Sequence, residues 1–207
     1  MKKVLVEGIG TFFLVLVVGL TVIAPGAGVM APLAIGTILM VMVYAGGPIS
    51  GGHYNPAVTL AVWLRGKCEA KEVPSYMGAQ VVGAVLAALL VGFCKRGGLV
   101  TAMQPLPLPA LLIEFLFTFA LAYVVLNVAT AKKTAGNSYF GLAIGMTVMA
   151  AAYAGGNISG GAFNPAVAIG LTLMRLSAAG NLWIFLVGNL GGGALAAVVF
   201  RFTNPGE

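Results

Sequence analysis

The sequence predicts an all-α membrane protein of six transmembrane helices plus two re-entrant half-helices, arranged as an inverted repeat. Three observations predict it. The 207 residues are 60% hydrophobic and only 8% charged, with a mean hydropathy of +1.03, too little charge to cover a soluble surface. Apolar runs recur along the chain, each near the length of about 20 residues that crosses roughly 30 Å of hydrocarbon. One half of the chain also repeats the other.

The first run, residues 4–22, follows Lys2 and Lys3 as a signal peptide would. It is long and carries Glu7, which an apolar signal core would not, so it reads as a retained helix. Residues 32–47 form the second span. A Gly/Ser-rich loop, 46–54, then leads into Asn55-Pro56-Ala57 and a short apolar run, 58–64. The third span is 74–93. Residues 104–109 hold three prolines, cannot be regular helix, and read as the link between halves. Spans at 108–128 and 139–153 follow. A second loop, 155–163, leads into Asn164-Pro165-Ala166 and the run 167–174, before a last span at 182–200. These crossings nearly exhaust the chain, so residues 1–207 read as one membrane domain with repeats of about 1–100 and 108–207.

The repeat is explicit. Residues 44–60 read YAGGPISGGHYNPAVTL and residues 153–169 read YAGGNISGGAFNPAVAI, identical at 12 of 17 positions. The same 109-residue offset aligns LAIG at 33–36 with LAIG at 142–145, and Gly83, Leu86, Ala87 and Ala88 with Gly192, Leu195, Ala196 and Ala197. A slightly different offset aligns Glu7 with Glu114 and Thr11-Phe12 with Thr118-Phe119. Three spans per half force the second half into the opposite orientation, which makes the repeat inverted.

Asn at the N-cap and Pro at N1 are helix-start signals. The helices that follow have about ten residues, or about 15 Å, which is half a bilayer. The preceding loops would carry unpaired backbone into the membrane, tolerated only where protein buries it or water lines it. Their glycines let chain approach chain and leave carbonyls free along a pore. By symmetry the half-helices meet N-terminus to N-terminus near the midplane. There Asn55 and Asn164 cap their own helices through the side-chain oxygen and leave each amide NH₂ aimed into the lumen. The paired N-termini place partial positive charge at that point, repelling cations and orienting water oxygen-first. A single such motif would be an ordinary N-cap; two copies at matching places in an inverted repeat mark a transport site.

The net charge of +6 forms no stripe and no DNA-binding motif accompanies it, which excludes nucleic acid as a partner. With the termini inside, Lys2, Lys3, Arg65, Lys67, Lys71, Lys132, Lys133 and Arg201 are cytoplasmic and Lys95, Arg96 and Arg175 are outside, as the positive-inside rule expects. Cys68 and Cys94 lie at opposite ends of one predicted helix and read as isolated thiols. No metal spacing, cofactor motif, convergent carboxylate pair or activated nucleophile is present, so an enzyme is not expected. A secondary transporter also uses inverted repeats and broken helices, but needs ionisable groups at the midplane. Trp63, Trp183 and Tyr76 read as interfacial anchors, and the pairs Gly188/Gly192 and Gly83/Ala87 as close helix packing.

SGGHYNPAVT and SGGAFNPAV resemble the two signature loops of the major intrinsic protein (aquaporin and aquaglyceroporin) family, and the repeat extends the resemblance over essentially the whole chain. The resemblance implies an aquaporin-like fold and a homotetramer with one pore per subunit. It also implies passage of water and small neutral solutes. Glu7 and Glu114 match the family's buried glutamates, which hydrogen-bond the re-entrant loops; a carboxylate within a span needs such partners. The alternative for Glu7 is a solvated charge at the helix end. The departure is the outer filter. Where most members have Arg after the second motif, this chain has Val167, and the other filter positions fall by motif spacing on Ile35, Ala152 and Gly161. Such a filter is small, apolar and uncharged, similar to plant tonoplast members. It implies water together with one or more of glycerol, urea, ammonia or hydrogen peroxide. His53, in the vestibule, could line the pore, gate it with pH, or bond to loop backbone. Short loops and tails point to a prokaryotic cytoplasmic membrane.

Overall fold

The computed structural model describes residues 1–96, 98 and 100–207. In chain order the helices are α1 (Lys2–Val22), α2 (Ala31–Ser50), α3 (Pro56–Leu64), α4 (Val73–Cys94), α5 (Pro107–Val125), α6 (Phe140–Ser159), α7 (Pro165–Leu173) and α8 (Leu182–Thr203). Six are long and apolar enough to cross a membrane; α3 and α7 have nine residues each. Among the described residues the extended pairing is a single bridge, Met103 to Ser177. Val82, Leu86, Leu89, Leu112, Leu116, Val187 and Val198 are half or more exposed on the outside of the bundle. Only lipid makes such a coat stable, and the chain is an integral membrane protein.

Two helix ends lie beyond the sequence-based expectation. α2 runs on through Gly46, Gly47 and Pro48, and α6 through Gly155 and Gly156. Inside hydrocarbon, each extra helical turn satisfies backbone groups that a loop would leave bare. Both helices stop at a left-handed glycine, Gly51 (φ 94°) and Gly160 (φ 99°), the conformation that ends helices cheaply only without a Cβ. The re-entrant loops are therefore just four residues, 51–54 and 160–163. The fourth span covers the expected residues 108–128, its last turn widening after α5 into a π-turn at Leu126–Thr130.

α1 packs on α4, α5 on α8, and α2 on α6. Each half-helix rests chiefly on the last helix of the other half, α3 on α8 and α7 on α4, so the halves interlock. Glycines permit this closeness: a Cβ on Gly83 would strike the Gly8 carbonyl, and one on Gly192 the Phe115 carbonyl.

The two ends of the bundle are identified by their contacts. At one, Lys3 pairs with Glu72 at 2.9 Å and Arg65 with Glu207 at 3.2 Å; this is the termini face. Arg65 also stacks over Phe200 at 4.7 Å, setting a cation against the negative end of α3. At the other, the distal face, Lys95 Nζ donates to Ile23 O and Met103 N to Leu176 O. Trp63 and Trp183 are exposed, but Tyr76 is not an interfacial anchor. It is 2% exposed and its hydroxyl donates to Ser50 O at 2.8 Å, because a phenol beside a re-entrant loop finds a carbonyl there that lipid cannot satisfy.

Candidate functional site

The two half-helices meet head to head. Asn55 and Asn164 are extended N-caps (φ −156° and −164°), and each side-chain oxygen accepts from its own helix: Ala57 N at 2.8 Å, and Ala166 N at 2.9 Å. Each amide nitrogen crosses to the other half. Asn55 Nδ2 donates to Phe163 O at 2.9 Å, and Asn164 Nδ2 to Tyr54 O at 2.8 Å. The expectation of an amide wholly given to the lumen is thus corrected: one N–H ties the halves together, and one remains for a guest. Tyr54 and Phe163 hold left-handed φ values of 49° and 48°, a costly conformation for a bulky residue, and it is their carbonyls that receive these bonds.

Behind each loop a buried carboxylate fixes the backbone. Glu7 accepts from Ser50 Oγ (2.6 Å), His53 N (3.0 Å), Tyr54 N (2.7 Å) and Gln80 Nε2 (2.7 Å). Glu114 accepts from Ser159 Oγ (2.7 Å), Ala162 N (3.0 Å), Phe163 N (2.7 Å) and Asn189 Nδ2 (2.7 Å). Both are fully buried, so Glu7 is not a solvated helix-end charge. Sequence reasoning missed the donors. Ser50 and Ser159 stand in the repeated ISGG, and Gln80 and Asn189 are polar amides at one repeat offset inside apolar spans, a signal that could have found them.

Three cavities lie in series. On the termini face one is lined by Lys3, Ser50, His53, Lys67, Cys68, Glu72, Tyr76, Val125 and Thr130, among others. The central lumen is lined by Leu14, Val18, Ile35, Leu39, His53, Tyr54, Asn55, Val58, Leu121, Val125, Ile144, Val148, Gly161, Ala162, Phe163, Asn164 and Val167. The distal vestibule is lined by Val18, Val29, Ile35, Thr101, Met103, Ala152, Tyr153, Asn157, Gly161 and Ser177, among others. The lumen is the smallest, about 30 Å³ against about 420 and 520 Å³. Its lining has no carboxylate, lysine or arginine.

The motif-derived positions do not form one flat ring. Ile35 and Gly161 line both lumen and distal vestibule. Val167 lines the lumen alone, and Ala152 the vestibule alone. His53 lines the lumen and the termini-face cavity. Its ring bonds to a side chain rather than to loop backbone, with Nδ1 3.1 Å from Thr59 Oγ1, and packs edge-on to Tyr76 at 5.3 Å. Pro56, Ala57, Pro165 and Ala166 are buried in the first turns of α3 and α7. Burial pushes the Cys68 thiol above its ordinary pKa, consistent with an inert side chain.

The sequence profile of the major intrinsic protein family matches residues 1–200. The chain is 37% identical over 220 residues to Aquaporin NIP1-3 of Oryza sativa subsp. japonica, covering 98% of this chain and 75% of the relative. It is 36% identical over 211 residues to the Glycerol uptake facilitator protein-like 6 of Lactiplantibacillus plantarum, covering 97% of each. In fold it is similar to the aquaglyceroporin of Plasmodium falciparum, with a TM-score of 0.80 at 21% identity over 96% of this chain and 94% of that one. Head-to-head half-helices, three cavities that share lining residues from one face to the other and these likenesses coincide in one chain, which belongs to the major intrinsic protein family and is a membrane channel, not an enzyme.

Proposed function

We propose that the chain is a passive channel for water and other small neutral solutes, drawn from glycerol, urea, ammonia and hydrogen peroxide. The observation that carries this reading is the lumen itself: an apolar tube without fixed charge, interrupted at its centre by two asparagine amides at the positive ends of two half-helices. A neutral guest trades water hydrogen bonds for the amides and the loop carbonyls. A cation meets two positive dipole ends and no compensating carboxylate. The wide filter is the part played by Ile35, Ala152, Gly161 and Val167, where no guanidinium narrows the path. Likeness to a glycerol uptake facilitator protein supports glycerol among the solutes.

Coupled transport is disfavoured, because Glu7 and Glu114 spend their oxygens on the loops and are absent from the lumen lining. One membrane domain of two inverted halves, assembled as a homotetramer in a prokaryotic cytoplasmic membrane, fits the pattern of the chain. The cationic termini face is cytoplasmic in this reading. Stopped-flow light scattering on proteoliposomes, against a panel of osmolytes, tests it. Water and at least one larger solute should equilibrate faster than in protein-free vesicles, and Val167→Arg should suppress the larger solute first. Passage of water with every other solute excluded refutes the wide filter.

A further inference from the structure

We propose that Val18 of α1 and Val125 of α5 are a matched pair of size-selecting residues, one at each end of the lumen, acting beyond the four filter positions. The repeat offset that carries Glu7 onto Glu114 and Thr11 onto Thr118 also carries Val18 onto Val125. Val18 lines both the lumen and the distal vestibule; Val125 lines both the lumen and the termini-face cavity. A residue shared by two cavities in series stands at the neck between them. The pseudo-symmetry therefore sets the same side chain at both necks, from equivalent helices.

The chemistry suits a size filter. Each valine is about 5% exposed (6% and 5%) and firmly packed, and its branched Cβ leaves little χ1 freedom. The bore is thus fixed by shape, not by a mobile chain. An isopropyl group offers no hydrogen bond, so it discriminates by bulk alone. Ile35 and Gly161 also line both the lumen and the distal vestibule, and a glycine contributes only backbone. Of the residues common to both cavities there, Val18 and Ile35 carry the side-chain bulk. At the other neck Val125 shares the ring with His53.

The pair rests on the channel reading above, and one experiment separates the two. Proteoliposomes of the wild type are assayed with water, urea, glycerol and erythritol to find the largest solute that passes. Val18→Phe and Val125→Phe are each expected to cut the flux of that solute by about tenfold or more, with water reduced less, because a bore near molecular size discriminates steeply. Val17→Phe, one residue and about 100° round the helix from Val18, should leave the ratio of solute to water unchanged. Should either phenylalanine variant not fold, Val18→Ala and Val125→Ala decide, with an expected rise of several-fold in the flux of the largest permeant. A conducting wild type whose variants all keep its ratio overturns the pair alone. A wild type no faster than empty vesicles overturns the channel reading.

Discussion

The first half surrounds its re-entrant loop with His53, Tyr54 and Thr59, where the second has Ala162, Phe163 and Ala168. The scaffold behind them is the same. Serine hydroxyl, two backbone N–H groups and an amide reach the carboxylate at distances that agree within about 0.1 Å between halves. What differs is the filling. Tyr54 lies over Gly10 and donates to Met42 O at 2.9 Å. Phe163 has no hydroxyl and packs edge-on to Phe117 at 5.4 Å, Phe117 being the counterpart of Gly10. Gln80 reaches Thr59 Oγ1 at 3.0 Å, while the shorter Asn189 reaches Thr118 Oγ1 at 2.9 Å on α5. Duplication kept the bonds that hold loop backbone at membrane depth and exchanged the side chains around them. Those exchanges make one neck partly polar and leave the other apolar.

The largest effect should come from the shared part. In Glu7→Gln or Glu114→Gln an NH₂ group faces donors, and at least one buried backbone N–H loses its acceptor. Such an orphan costs about 1–3 kcal/mol, more where the lost acceptor was charged. Both variants should lower the apparent unfolding temperature in detergent by similar amounts. A large drop for one and none for the other would show that the halves are not equally held, and would break the comparison at its root.

An intermediate effect should come from the exchanged aromatics. A Cβ on Gly10 would overlap the Tyr54 ring, and overpacking of this kind costs about 1–3 kcal/mol. Gly10→Ala should destabilise the protein in the same unfolding assay, and Tyr54→Leu in the same chain should recover part of the loss. The second half, with phenylalanines at both positions, has no such constraint. A silent Gly10→Ala would mean that Tyr54 yields easily and that its fit is not what fixes the first loop.

Much of this was legible in the sequence, for reasons that sort by physics. Helix spans follow from hydropathy because lipid leaves backbone no other partner. The asparagine caps follow from Asn-Pro at a helix start, and the glutamate supports from a charge that must be partnered within a span. Four features lay beyond it. Gly46, Gly47 and Pro48 read as loop by composition, yet lipid extends the helix through them to Ser50. The Asn55 and Asn164 amides cross to carbonyls of the opposite half, a bond visible only once the halves interlock. Tyr76 reads as a membrane-surface anchor, yet a loop carbonyl draws it inward. Ala152 lines the distal vestibule and not the lumen, a division between cavities that motif spacing along a helix does not carry.

The smallest effect on stability, and the most informative one on transport, should come from His53→Ala, which copies Ala162 into the first half. The lost contact is the 3.1 Å approach of Nδ1 to Thr59 Oγ1, worth about 0.5–1.5 kcal/mol net. Thr59 keeps its bond to Asn55 O and its bond from Gln80, so no buried group is orphaned and the loss should fall at the low end. The neck, however, loses an imidazole that shares the ring with Val125. Flux of the largest permeant should rise a few-fold, and any pH dependence of wild-type flux that rests on this imidazole should vanish. Equal pH profiles in wild type and variant would end a gating role for His53. A fall in stability matching that of Glu7→Gln would make the side chain a pillar of the loop instead, and the polar neck a by-product of support.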